Sequence, residues 1–93
     1  MSFSLKQIEF DRQIDLAQIR EFRKIQKIEI LNELYTKYMH LVYGVALKNS
    51  QSRDNAKEIV SKVFDLFKSE VEQKEIDDLR NWLYQTTVSV CSD

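Results

Sequence analysis

Turn-forming residues are almost absent from this 93-residue chain, which has no proline and a single glycine, Gly44. Tight turns and hairpins depend on these two residue types, so their scarcity argues against a fold of many short strands. The isoleucines could belong to strands by propensity, but they lie among glutamate, glutamine and lysine without sustained alternation. We therefore predict an all-α fold, a compact bundle of about four helices.

Cysteine and histidine are equally scarce, because Cys91 and His40 are the sole examples of each. A lone thiol forms no internal disulfide, and a closed zinc site needs about four such ligands. Any activated nucleophile would depend on His40, which a helical pattern places beside apolar residues as a packed or half-exposed side chain. A chain with a single glycine also cannot form a glycine-rich phosphate-binding loop. We predict no metal, no cofactor and no enzymatic activity.

Long apolar runs and an excess of one charge are missing as well. The longest nearly apolar stretch, Met39 to Leu47, is less than half of the roughly 20 residues that a membrane span requires. The first residues, MSFSLKQIEFDRQ, lack the features of a signal peptide. With a net charge of −1, the chain has no generally basic coat for nucleic acid, so such binding must be local. We expect a cytoplasmic protein without a membrane partner.

Hydrophobic periodicity predicts four amphipathic helical segments. We place them at about Ser4–Ile25, Ile28–Lys48, Arg53–Val71 and from about Asp77 onward, with a joint at Gln26 and Lys27. Ser52 is the expected N-cap of the third segment, and Asp77 or Asp78 that of the fourth. The acid-rich stretch Glu70–Asp78 is predicted to be a solvated connection. The N-terminal amphipathic helix (residues 1–27) and the remaining helical domain (28–93) are expected to form one compact unit.

Side chains at helical spacing define the expected core and one expected charged patch. The apolar face of the first segment is predicted to contain Leu5, Ile8, Leu16, Ile19, Phe22 and Ile25, and the core aromatics are Tyr35, Tyr38, Phe64 and Phe67. Arg20, Arg23, Lys24 and Lys27 form a basic cluster, interpreted as a solvated face or, alternatively, as a patch for nucleic acid or a protein partner.

Three aromatic-bearing segments carry a family resemblance. They read ELYTKYMHLVYGVAL, RDNAKEIVSKVFDLF and LRNWLYQTTVSV in chain order. This order resembles the second conserved region of bacterial extracytoplasmic-function sigma factors, which typically shows an LY..Y helix, a DAEDLVQEVF-like helix and a WLY.IA.N helix. The resemblance covers about residues 30–93, roughly two-thirds of the chain.

The resemblance implies a function in transcription initiation. Region 2 of such sigma factors is a compact helical domain that binds core RNA polymerase and helps to recognise and open the minus-ten promoter element. It implies that the helix with Glu58 meets polymerase, and that the helix with Trp82 and the loop before it approach the non-template DNA strand. Arg80, Trp82 and Tyr84 are the expected DNA-binding residues. For Trp82 the alternative expectation is that its ring anchors the core. A regulatory protein is a further expected partner.

A second hypothesis uses the positions where the chain departs from the family pattern. Lys57 and Lys62 stand where acids or glutamine are usual, and Gln85 and Thr86 follow WLY where the family tends to place arginine and asparagine. A reversed charge changes attraction to repulsion. The alternative function is a helical protein–protein interaction module that has a sigma-like fold without promoter recognition and binds a protein partner, or a second copy of itself, through the first helix. Under the sigma-factor hypothesis, the chain is either a fragment of a longer protein with a helix-turn-helix domain or a reduced relative of the family. The last helical pattern ends without a stop signal, which favours the fragment.

Overall fold

The computed structural model describes residues 5–92 and consists there of four α-helices without a strand. Their bounds are α1 (Leu5–Ile25), α2 (Ile28–Asn49), α3 (Arg53–Gln73) and α4 (Leu79–Cys91). The all-α prediction is confirmed, and each helix lies within a few residues of its predicted range. The expected first residue of α1, Ser4, lies outside the described residues.

The joint between α1 and α2 depends on one unusual backbone conformation. Gln26 has a φ of 58°, in the left-handed region, and its N–H donates to the carbonyl of Phe22 at 2.7 Å. Such a conformation costs roughly 1–2 kcal/mol for a residue with a side chain, which explains why glycine is usual at this place. The side-chain amide of Gln26 also donates to the Arg23 carbonyl at 3.2 Å. These contacts end α1 where the sequence has no breaker.

The starts of α3 and α4 are both capped by side chains, as the sequence predicts. Ser52 Oγ accepts a hydrogen bond from the backbone N–H of Asn55 at 3.1 Å. Asp78, rather than Asp77, caps α4 by accepting from the N–H of Asn81 at 3.2 Å. Each cap pairs one of the backbone donors that a helix leaves free in its first turn.

The core is centred on α2, which packs against all three other helices. Tyr35 connects α2 to α3, with its ring centroid 5.0 Å from that of Phe64 and 6.0 Å from that of Phe67. The ring centroids of Phe67 and of Trp82 on α4 lie 6.2 Å apart. The Tyr35 hydroxyl donates a hydrogen bond to the Val60 carbonyl at 2.7 Å. Edge-to-face and offset aromatic pairs of this kind contribute about 0.5–1.5 kcal/mol beyond the area they bury.

Two predictions about burial are wrong. On α1, Leu5 is 85% exposed, Ile8 is 46% exposed and Ile25 is 47% exposed, so these three residues lie outside the core. The acid-rich connection is not simply solvated: α3 continues to Gln73, and Val71 and Ile76 are buried in the core. Single apolar residues among acids therefore anchor this segment.

Candidate nucleic-acid interface

A cleft of about 930 Å³ opens between α1, α2 and α4. It carries both signs of charge together with two tyrosines. The side chains at its wall come from the three helices and from the cap of α4: Ile8, Asp11, Arg12 and Asp15; Lys37, Tyr38, His40 and Leu41; Asp78, Arg80, Asn81 and Tyr84. The exposed aromatic ring of Tyr84, the cation of Arg80 and the amide of Asn81 lie together at this wall.

A buried carboxylate forms the base of the cleft. Asp15 is 2% exposed and accepts a hydrogen bond from Lys37 Nζ at 2.8 Å and another from the Tyr38 hydroxyl. The Lys37 ammonium also lies 5.3 Å from the centroid of the Tyr38 ring. Burial, and then the hydrogen bond to Asp15, raises the pKa of Tyr38 well above its ordinary value. This polar contact fixes α1 to α2, with two side chains of α2 sharing one carboxylate.

Two of the cleft's cations are already engaged. Lys37 is paired with Asp15, and the Arg12 guanidinium lies 3.4 Å from Glu9 and 3.9 Å from Asp78. The side chain of Arg80, by contrast, forms no ion pair or hydrogen bond within residues 5–92. Its charge is close enough to oppose the rise in the pKa of Tyr38. Arg80 is therefore the cation that this cleft offers to an anionic ligand.

The structure brings together two of the four residues that the sequence singled out. Arg80 and Tyr84, one turn apart on α4, both line the cleft, and Tyr84 is 45% exposed. Trp82 points elsewhere, since it is half-buried against the core near Phe67. Glu58 is exposed on α3, a helix that contributes no residue to the cleft.

Sequence reasoning missed the residues that give the cleft its polar base. Asp15 precedes Ile19 and Phe22 by four and seven residues, so helical spacing places its carboxylate on the buried face of α1. An acid on the buried face of a helix requires a polar partner, and this requirement is the sequence signal that could have identified Asp15. His40 is exposed and lines the cleft, whereas a packed or half-exposed side chain was expected.

The predicted basic cluster of α1 is only partly a solvated face. Arg20 donates to both carboxylate oxygens of Glu75, from Nε at 2.7 Å and from Nη2 at 3.2 Å. Arg23 Nη2 lies 3.5 Å from the Gln73 carbonyl. The hydrogen bond from Arg20 lowers the pKa of Glu75 and raises that of Arg20 itself. Two of the four cations therefore contact the segment between α3 and α4.

Comparisons with known proteins find no match for this chain, neither among protein-family models nor among curated proteins nor among solved structures. Among residues 5–92, no helix is long and apolar enough to cross a membrane. The same residues contain no group of three or more His, Cys, Asp or Glu side chains placed to hold a metal ion.

Proposed function

We propose that this chain acts in transcription initiation as a sigma-factor region 2-like domain, binding core RNA polymerase and the minus-ten promoter element. The observation that carries the proposal is the meeting of its three motifs in one cluster. Tyr35 of the LY..Y segment contacts Phe64 and Phe67 of the second segment, and Phe67 contacts Trp82 of the third. These side chains are far apart in sequence but contact one another in one hydrophobic core, so the three motifs belong to a single domain.

The cleft suits the DNA-binding half of this function. Single-stranded bases are held by stacking on aromatic rings, and their phosphates by nearby cations. Tyr84 offers an exposed ring, Arg80 an unpaired guanidinium, and Asn81 an exposed amide. Trp82 supports the site from the core instead of contacting DNA. Binding would break no covalent bonds, so the domain needs no catalytic group.

The polymerase-binding half is assigned to the exposed face of α3. Glu58 is exposed there, and so are Lys57 and Lys62. A carboxylate attracts a basic partner surface while the two lysines repel it, and like-charge contacts at an interface can cost several kcal/mol. We therefore expect binding that is weaker than the family's usual pattern would give and that depends on Glu58.

The test is co-migration of the chain with purified bacterial core RNA polymerase in size-exclusion chromatography, at low and at moderate salt. The proposal predicts a complex that Glu58→Lys weakens at both salt concentrations. Glu72→Lys is the matched control, because Glu72 is also an exposed acid of α3 but lies near its C-terminal end. Absence of a complex at both salt concentrations would contradict the proposal, and so would equal effects of the two substitutions.

A second candidate, the self-associating interaction module, is favoured by one observation on α1. Phe10 is 60% exposed and Ile14 38% exposed, and helical spacing aligns them with exposed Ala17 on the side opposite Asp15 and Ile19. Sedimentation equilibrium distinguishes this candidate from the first. A dimer that Phe10→Ser dissociates, in a chain that does not bind polymerase, would favour the interaction module.

A further inference from the structure

The joint between α1 and α2 is bent although its own sequence favours a straight helix. Gln26 lies in the left-handed region with a φ of 58°, which is unfavourable for a residue with a side chain. Residues 23–29 read RKIQKIE, without glycine or proline, and most of them are good helix formers. Local preference would therefore join α1 and α2 into one continuous helix, and the bend is imposed by the packing of α1 on the rest of the fold.

The packing that imposes this bend is small. Three of the 21 residues of α1 are buried, against six of 22 in α2. The buried three are Asp15, Ile19 and Phe22. The ion pairs of α1 with Glu75 and Asp78 are formed by side chains that are all at least 36% exposed, and exposed pairs of this kind contribute little. α1 is therefore packed less firmly than the helix that follows it.

α1 also determines how many cations the cleft offers to an anionic ligand. The Asp15 carboxylate binds the Lys37 ammonium at 2.8 Å. The cleft carries three carboxylates and three cations, which belong to Asp11, Asp15 and Asp78 and to Arg12, Lys37 and Arg80. Two of these acids and one of these cations lie on α1. Without α1, the face formed by α2 and α4 would carry two cations against one acid, and Lys37 would be free to bind an anion together with Arg80.

We infer that α1 is a displaceable cover of the cleft, which leaves the α2–α4 face by straightening at Gln26 into one helix with α2 and thereby releases Lys37 as a second cation for nucleic acid. The structure shows the covered form, so the straightened form is the minor one. A ligand that binds the straightened form more tightly shifts the population toward it. The movement of α1 stands on the contacts above, whereas its effect on DNA rests on the proposed function.

The first part of the test measures the departure of α1 without any ligand, by the reaction of buried thiols with a thiol-specific reagent at neutral pH. In a Cys91→Ser background, Ile19→Cys reports the departure of α1, and Val63→Cys on α3 reports unfolding of the core. Both replaced side chains are 0% exposed. We expect the thiol of the Ile19→Cys chain to react at least about tenfold faster. Equal rates would overturn the inference, because α1 would then leave only when the whole domain unfolds.

The second part tests straightening at the joint with the same Ile19→Cys readout. Lys27 has an ordinary extended conformation, with φ −91° and ψ 115°, so glycine there relieves nothing in the covered form but weakens a continuous helix. Lys27→Gly should therefore slow the reaction about threefold, whereas the matched control Lys27→Ala should not slow it. Gln26→Gly should slow it more, at least about fivefold, because it also removes the cost of the left-handed conformation. A Lys27→Gly chain that reacts as fast as Lys27→Ala would overturn the straightening, because a flexible or unfolded joint does not depend on helix propensity.

The third part measures binding of the whole chain to a fluorescently labelled single-stranded oligothymidine at low salt. Asp15→Asn keeps a side-chain oxygen for the Tyr38 hydroxyl but removes the charge that binds Lys37. Affinity should rise at least about fivefold, as expected for one further phosphate contact, and Lys37→Gln in the same chain should cancel the gain. Asp11→Asn is the matched control, because Asp11 lines the same cleft but is bonded to Gln7 instead of Lys37. Its effect should be smaller, and equal effects of the two substitutions would overturn the inference.

The same titration separates failure of the inference from failure of the proposed function. Gln26→Gly favours the covered form and should bind the oligothymidine more weakly than the wild type. Measurable wild-type binding that neither Asp15→Asn nor Gln26→Gly changes would overturn the inference while leaving the proposed function intact. If neither the wild type nor Asp15→Asn binds the oligothymidine, the DNA-binding half of the proposed function is refuted, and the release of Lys37 for nucleic acid is refuted with it.

Discussion

Replacing Asp15 by alanine should destabilise the domain strongly, although it changes only one charged side chain. The substitution removes the acceptor of the Lys37 ammonium and of the Tyr38 hydroxyl in a site that is nearly inaccessible to water. Tyr38 is itself buried, so its hydroxyl would be left without a hydrogen-bond partner. Lys37 is 38% exposed and can turn its ammonium toward water, which limits the penalty to about one buried polar group.

The size of the effect follows from these contacts. A hydrogen bond to a charged group contributes about 1.5–3 kcal/mol, and an unpaired buried donor costs about 1–3 kcal/mol. Since Lys37 regains water, we expect Asp15→Ala to lower the free energy of unfolding by about 2–4 kcal/mol. For a domain of this size, that corresponds to a fall in Tm of about 10–20 °C.

The assay is thermal and urea unfolding followed by circular dichroism at neutral pH. Asp11→Ala is the matched control, because Asp11 lines the same cleft but accepts its hydrogen bond from the exposed side chain of Gln7; it should change stability by less than about 0.5 kcal/mol. In a Tyr38→Phe background, Asp15→Ala should cost less, because the orphaned hydroxyl is gone. A loss below about 1 kcal/mol for Asp15→Ala alone would refute the reasoning.

Three further predictions concern packing, charge and pH. Trp82→Ala should lower the free energy of unfolding by about 2 kcal/mol in urea unfolding, because its half-buried ring packs on the core. Tyr84→Ala should leave stability unchanged and weaken single-stranded DNA binding by about 1–3 kcal/mol. The opposite pattern would contradict the assignment of Tyr84 to the DNA-binding cleft. Lys57→Glu with Lys62→Glu should tighten binding to core RNA polymerase at least about threefold in a titration, and weaker binding would exclude that face. The raised pKa of Tyr38 means that the folded state keeps the phenol protonated. Stability should therefore be complete below pH about 10 and fall as pH rises above it, and a urea midpoint that is equal at about pH 8 and about pH 11 would contradict this.

Much of the fold was predictable because helical periodicity is strong where one face is buried. The pattern of Leu34, Tyr35, Tyr38 and Val42 correctly located α2, and the polar residue Ser52 marked the start of α3 by a contact confined to its own turn. Local chemistry of this kind is visible in the sequence because its partners lie within four residues.

Features formed by distant residues were not predictable in the same way. The burial of Ile76 depends on how α3 and α4 meet, and the contact of Arg20 with Glu75 joins residues 55 positions apart. A solvated, acid-rich connection was the reasonable expectation from composition alone. Likewise, Arg80 and Tyr84 were chosen from a family resemblance, but only the fold shows that they share a cleft with Asp15.

The central claim is tested most directly by competition for core RNA polymerase. The fluorescently labelled chain is titrated with purified bacterial core enzyme, with and without an excess of an established sigma factor. We predict saturable binding that the sigma factor displaces and that Glu58→Lys weakens, because both proteins would use the same surface of the enzyme. Binding that persists in the presence of excess sigma factor, or no binding at all, would contradict the proposed function.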